Sequence, residues 1–323
     1  MKILVTGGAG FLGSELTRFL LERGRLCGES IDEITLADLV PPSEKLQADG
    51  RVRVFTGALT GLCEAWRGEP FDAVFHLAAA VSRECEADFD LGLRSNLDST
   101  RALLDALRAA GNAPRFVLAS SVAVFGSDPG LPLPAVVRDD TLPTPQSSYG
   151  TQKFICEQLV ADYTRKGFID GRSARLMTVV VRPGRPNGAA SGFLSAIVRE
   201  PVHGEEAICP VPPETRVAVA SPERTIAGLA AVAEASREAL EGRTAINMPA
   251  LTVSVGEMLE ALEQEAGAEA RARVRFVPDE AILRMVGGWP AVFDAARARR
   301  LGLRPDPDFA SIVRGFLAGE ARA

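Results

Sequence analysis

Residues 1–13, MKILVTGGAGFLG, decide how the whole chain is read. Residues 2–6 form a short apolar, β-branched run of strand length, which leads straight into a glycine-rich turn; Leu12, Leu16, Phe19 and Leu20 then fall at helical spacing. The order is strand, glycine turn, helix. Gly7, Gly10 and Gly13 lack side chains that would block an anion from reaching the backbone N–H groups and the start of the helix. A pyrophosphate suits that geometry. A glycine triplet alone also fits a tight turn, and GxxGxxG differs from the GxGxxG spacing. Asp38 separates the two readings, because it ends the second strand where a carboxylate accepts hydrogen bonds from an adenosine ribose and repels a 2′-phosphate. The expected cofactor is NAD rather than NADP.

Outward from that turn, apolar runs at 34–38, 52–56, 73–76 and 115–120 have strand length, and the segments between them are long enough for crossover helices. Segment 98–110 is rich in Ala and Leu with a Gly-Asn stop, and 149–166 reads as an amphipathic helix. The alternation predicts an α/β fold with a Rossmann-type, doubly wound parallel sheet. After Val181 the pattern changes, because Pro183, Gly184, Pro186 and Gly188, then Pro210, Pro212 and Pro213, break any regular element. A helix is expected over 222–240, a strand over 244–247, a helix after Ser254 with Glu257 at capping-box spacing, and a strand over 274–276. This divides the chain into a nucleotide-binding domain, 1–181, and a smaller C-terminal α/β region, 182–323, mainly for substrate, with some elements free to return to the first sheet.

Composition narrows the function. The chain has 323 residues, of which 46% are apolar and 24% charged, enough for a sizeable core. Its net charge of -6 leaves no strong basic stripe for nucleic acid. The five cysteines are scattered without a CxxC pair, which predicts reduced thiols, and two histidines are too few for a metal site, so no metal is assigned. No apolar run approaches the ~18 residues of a membrane span. The N-terminus lacks the cationic and apolar pattern of a secretory leader, so the cytoplasm is the expected address.

Tyr149 and Lys153 form a YxxxK pair, which at i, i+4 spacing puts both side chains on one helix face. Taken alone the pair also fits an exposed amphipathic face. Beside the glycine turn and Asp38 it reads as chemistry: an adjacent ammonium and an oxidised nicotinamide both favour a phenolate, which can take a hydroxyl proton while hydride leaves the same carbon. A serine at the end of the fifth strand, in FVLASSV, can hydrogen-bond the same substrate oxygen, and the SS pair leaves Ser120 and Ser121 both open.

Taken together, TGGAGFLG, DAVFHLAA, Asn96 of SNLDST, ASSVAVFG and SSYGTQK resemble the NAD-dependent epimerase/dehydratase branch of the extended short-chain dehydrogenases, across essentially the whole chain. The resemblance implies Ser121 rather than Ser120 as the partner of Tyr149 and Lys153. It implies a cofactor site that adds Phe11, Leu12, Ala58, Leu59, Leu77, Ala78, Ala79, Asn96, Ala119, Pro183, Gly184 and Pro186 to the glycine turn, Asp38, Tyr149 and Lys153. Asn96 equally fits a helix N-cap. PQSSYGTQK, RPGRPN, GEEAICPV and ETRVAVASPERT further resemble members that oxidise the hydroxyl next to the carboxylate of a four-carbon sugar acid. That implies a small-molecule sugar-acid substrate touching Ser82, Ser121, Val122, Tyr149, Arg185, Asn187 and Arg216. Among these, the planar fork of Arg185 is the expected carboxylate holder. The resemblance also implies a homodimer packed through the helices at 98–110 and 149–166.

Two departures stand out. Ala58 replaces an Asp that relatives use for the adenine amino group, and Phe125 replaces the Tyr of VYG. Two other functions compete with a sugar-acid dehydrogenase: a nucleotide-sugar epimerase that reduces and reoxidises a tightly held NAD, and an NAD-sensing module without catalysis.

Overall fold

The computed structural model describes residues 1–184 and 191–321. Its main feature is a seven-stranded sheet built from β1 (Lys2–Thr6), β2 (Glu33–Asp38), β3 (Val52–Thr56), β4 (Ala73–His76), β5 (Arg115–Ser121), β6 (Asp170–Leu176) and, last in the chain, β10 (Ile246–Asn247). In space the order is β3-β2-β1-β4-β5-β6-β10. The pairs across β3-β2-β1-β4-β5 are parallel, with Ile3 opposite Ile34 on one side and Ala73 on the other. A strand buried on both faces needs successive apolar residues, which is why Ile3, Leu4 and Val5 run together, all fully buried. The order reverses between β1 and β4, the point where such sheets receive ligands beyond their carboxyl ends.

The helices that cross over this sheet are α1 (Phe11–Arg23), α2 (Leu59–Ala65), α3 (Ser82–Ala87), α4 (Ser99–Ala110) and α5 (Ser148–Arg165). Helix α1 ends at Gly24 and α4 at Gly111, the stop its sequence signals, both with positive φ. Leu4, Val74, Leu103, Leu104, Leu107, Phe116, Cys156 and Val160 form the core between sheet and helices.

The chain separates into two compact units: Met1–Val124, Ser147–Arg175 and Ile226–Ile246 form the first, and Phe125–Gln146, Leu176–Thr225 and Asn247–Ala323 the second. The second unit holds a three-stranded sheet in which β9 (Arg216–Ala220) lies between β7 (Thr178–Val179) and β11 (Leu251–Ser254). A separate parallel pair joins β8 (Ala207–Cys209) to β12 (Val274–Phe276). Its helices α6 (Gly192–Val202), α8 (Val255–Ala266) and α9 (Phe309–Glu320) pack Leu194, Ile197, Met258, Leu259, Ile312 and Val313 into one core. The capping box expected at Ser254 and Glu257 is present, Ser254 Oγ accepting the Glu257 N–H at 3.1 Å and the Glu257 carboxylate accepting the Ser254 N–H at 2.6 Å.

Beyond the elements α6, β7, β8, β9 and β11 of the second unit, which the sequence reading did not assign, a helix end and a strand differ from it. The helix expected over 222–240 is α7 (Pro222–Glu234) and stops six residues early, because Arg115 and Arg172 each donate to the Ala233 carbonyl at 2.6 Å and cap the helix end. Strand β6, DGRSARL, is missing from that reading because two arginines interrupt its apolar pattern. Both are buried, with Arg172 paired to Asp170 and Arg175 to Glu157.

Candidate active site

The glycine turn is shaped by contacts that exclude side chains. Gly7 has φ +72°, its N–H donates to the Ala37 carbonyl at 2.8 Å, and a Cβ placed on it would stand 2.7 Å from the Ala78 nitrogen. A Cβ on Gly13 would collide with the Gly7 carbonyl oxygen. Gly10 is exposed at the mouth of α1, where no side chain caps the helix. The turn is therefore a cradle of backbone that suits a pyrophosphate on both shape and dipole. Asp38, at the end of β2, accepts the Ala9 N–H at 3.0 Å and the Leu39 N–H at 2.7 Å, so its carboxylate is fixed beside the cradle. The Gly57 N–H donates to the Asp38 carbonyl at 2.8 Å, and Ala58 follows, exposed, with Leu59 opening α2. Phe11 and Leu12 are half-buried in the first turn of α1.

Leu77, Ala78 and Ala79 leave β4 half-buried beside the cradle, Leu77 donating to the Thr6 carbonyl at 3.1 Å. Beneath them runs a buried polar chain. Thr100 donates its hydroxyl to the Asn96 carbonyl at 2.5 Å, so it can only accept from His76 Nε2, 2.8 Å away. That leaves His76 Nδ1 to accept from the Thr6 hydroxyl at 2.6 Å, and Thr6 Oγ1 accepts the Ala78 N–H at 3.4 Å. His76 is thus neutral with its proton on Nε2. Burial first, and the Lys153 ammonium second, push its pKa down to about 3.

Below pH 6.5 the unfolded chain takes a proton on His76 that the folded state refuses, so stability falls as the pH drops. Urea unfolding should show a loss approaching about 1.4 kcal/mol per pH unit from this group well below 6.5, a dependence that His76→Gln removes. Identical pH slopes for the two proteins would disprove the assignment.

Asn96 is buried in a π-helical turn spanning Leu93–Asp98. It is not an N-cap: its side chain accepts the Ala80 N–H at 2.8 Å and donates to the Ala80 carbonyl at 3.2 Å. The extra residue of a π turn turns that side chain away from the regular helical stagger.

On α5, Tyr149 is half-buried and Lys153 buried, with Lys153 Nζ 5.7 Å from the centre of the Tyr149 ring. Lys153 donates to the Ala119 carbonyl at 2.9 Å, which ties the helix to the end of β5. The two serines there are in different environments. Ser120 is buried and donates to Glu157 at 2.5 Å, whereas Ser121 is half-exposed and accepts the Ala123 N–H at 3.1 Å. Ser120 is committed to the interior, which leaves Ser121 as the hydroxyl available to a ligand. Val122 begins a single 3-10 turn, Val122–Val124, that packs on α5.

The first unit therefore carries the glycine turn, Asp38, Ala58, Leu59, Leu77 to Ala79, Ser82, Asn96, Ala119, Ser121, Val122, Tyr149 and Lys153. Pro183, Gly184 and Arg216 belong to the second unit and are exposed. Arg185, Pro186 and Asn187 lie outside the described residues. Among the described residues no group of His, Cys, Asp or Glu side chains could hold a metal, and no helix is long and apolar enough to cross a membrane. Sequence reasoning missed Gln152, Glu157 and Arg175. The signal for Glu157 was there, since it continues the four-residue spacing of Tyr149 and Lys153 by one more turn.

Proteins of known kind share both the sequence and the fold of this chain. The D-erythronate dehydrogenase of Cupriavidus necator is 47% identical over 323 residues, covering 98% of each chain. That of Haemophilus influenzae is 41% identical, covering 98% of this chain and 99% of its own. Among solved structures, a nucleoside-diphosphate-sugar epimerase from Agrobacterium tumefaciens superposes with a TM-score of 0.90 at 44% identity, over 99% of this chain and 94% of that one. The L-threonine 3-dehydrogenase of Trypanosoma brucei does so at 0.83 and 25%, over 98% and 96%. The family model described as NAD dependent epimerase/dehydratase matches residues 3–224, which contain the cradle, Asp38, Ser121, Tyr149 and Lys153. The chain belongs to the NAD-dependent epimerase/dehydratase family.

Proposed function

We propose that this NAD-dependent dehydrogenase oxidises a small sugar acid, D-erythronate, at the hydroxyl next to its carboxylate, giving 2-dehydro-D-erythronate. The reading is carried by near-full-length identity of 47% and 41% to two D-erythronate dehydrogenases. The residues fit the cofactor: Gly7 and Gly13 leave room that any Cβ would fill, and Asp38 stands ready for the ribose. NAD, when bound, supplies the hydride acceptor.

Each residue has a part in the step. Tyr149 takes the proton of the C2 hydroxyl as the C2–H bond breaks with its electron pair, so the alcohol becomes a ketone, with one hydride and one proton removed. Lys153 places its positive charge 5.7 Å from the centre of the Tyr149 ring, on the same helix. Ser121 donates to the same substrate oxygen and holds it in line. The planar guanidinium of Arg185, which lies outside the described residues, is the candidate holder of the carboxylate.

The test is direct. Purified protein with D-erythronate and NAD should generate NADH, with kcat/KM higher for NAD than for NADP. The Agrobacterium tumefaciens neighbour supports a second reading, turnover of a nucleotide sugar without net redox change. Silence with D-erythronate and other four- and five-carbon aldonates, together with epimerisation of a UDP- or dTDP-sugar, would select that reading.

A further inference from the structure

Between Tyr149 and Lys153 lies Gln152, a buried amide on the helix that carries both. Its partner is Asn96. The orientation of both amides follows from one bond: Asn96 Oδ1 accepts the Ala80 N–H, so Asn96 Nδ2 must face the other neighbours, and it donates to the Ala80 carbonyl and to Gln152 Oε1 at 2.8 Å. Gln152 can therefore offer only its oxygen there. Its own Nε2 is buried without a partner among the described residues. Holding a buried amide with an unmet donor is costly, and an apolar side chain would avoid that cost. The oxygen is what the site uses.

We infer that Gln152 is a positioning residue, which uses Asn96 as a strut to fix Ala80, and with it the cofactor-lining residues Leu77 to Ala79, at a set distance from Tyr149 and Lys153. The inference rests on the dehydrogenase reading above. Hydride transfer is steep in donor–acceptor distance; Tyr149 rides on the helix and Leu77 to Ala79 on the segment that would line the cofactor, so a strut joining helix to segment sets how the two face each other. The same strut does not touch the pyrophosphate cradle or Asp38. Its loss should lower turnover and leave NAD affinity alone.

Gln152→Met keeps the length of the side chain and removes the acceptor. With D-erythronate and NAD, kcat should fall about tenfold, the NAD dissociation constant should stay within roughly twofold of wild type, and the primary isotope effect with C2-deuterated substrate should rise as hydride transfer becomes limiting. A second variant reaches the same strut without deleting it. A Cβ on Gly92 would stand 2.5 Å from Gln152 Nε2, the far end of a flexible side chain, so Gly92→Ala should displace the amide and show the same signature. If Gln152→Met does not fold, Gly92→Ala decides. Unchanged kcat and isotope effect in the folded variant, or a fall in kcat matched by an equal loss of NAD affinity, overturns the inference. The Ala80 amide gives a readout independent of activity, since its hydrogen exchange should accelerate in either variant; unaltered exchange also overturns it. A wild-type protein inactive on every aldonate defeats the dehydrogenase reading instead, and the two failures cannot be confused.

Discussion

Tyr149→Phe should lower kcat by at least about 10²-fold while leaving the fold and NAD affinity intact. The substitution removes one oxygen from a half-buried ring, and the ring keeps its place 5.7 Å from Lys153 Nζ. Lys153 stays anchored because its hydrogen bond goes to the Ala119 carbonyl and not to the phenol. The group lost is therefore the proposed proton acceptor alone. Steady-state assay with D-erythronate, alongside fluorescence titration with NAD, separates the two effects. Persisting turnover would mean that another base serves the reaction, and the only other tyrosine is no substitute: Tyr163 donates to Asp105 at 2.6 Å, and burial together with that carboxylate pushes its pKa up to about 12.

The largest effect on stability should come from Glu157. Its carboxylate accepts Arg175 Nε at 2.9 Å and Nη2 at 2.7 Å, together with the Ser120 hydroxyl, in an interior where Glu157, Arg175 and Ser120 are all buried. Glu157→Ala leaves a buried guanidinium without its carboxylate and strips Ser120 of its acceptor, so unfolding free energy should fall by about 3–5 kcal/mol. The double variant Glu157→Met, Arg175→Met should recover most of that loss, because an apolar pair of similar volume needs no desolvated charge. Urea denaturation of the three proteins checks both statements. A loss under about 1 kcal/mol for the single variant would show that the pair is not what holds α5 against β5 and β6.

Much of this was legible in the residues. The strands Lys2–Thr6, Val52–Thr56, Ala73–His76 and Val274–Phe276 lie where their apolar runs place them, and the reason is plainest in Lys2–Thr6 and Ala73–His76, because a central parallel strand is covered on both faces. The glycine spacing likewise announced the cradle, since no other residue survives contacts of that closeness at Gly7 and Gly13. Strand β6 was hidden because a charged residue is penalised in any pattern that cannot see its partner. Glu157 lies 18 positions before Arg175 in the chain and in direct contact with it in the fold. The end of α7 was hidden for the same reason, its capping guanidiniums coming from residues 118 and 61 positions earlier.

The sequence by itself determined strands β1 to β5 of the sheet, the glycine turn, the carboxylate at Asp38 and the shared face of Tyr149 and Lys153, because each depends on spacing within one strand, turn or helix. Only the tertiary structure showed Ser120 buried against Glu157 with Ser121 half-exposed, gave Asn96 to the Ala80 peptide instead of a helix cap, fixed the proton of His76 on Nε2 and paired Gln152 with Asn96. Those assignments turn on which buried donor meets which acceptor, and buried partners are chosen by packing between elements far apart in the chain, where local periodicity carries no information.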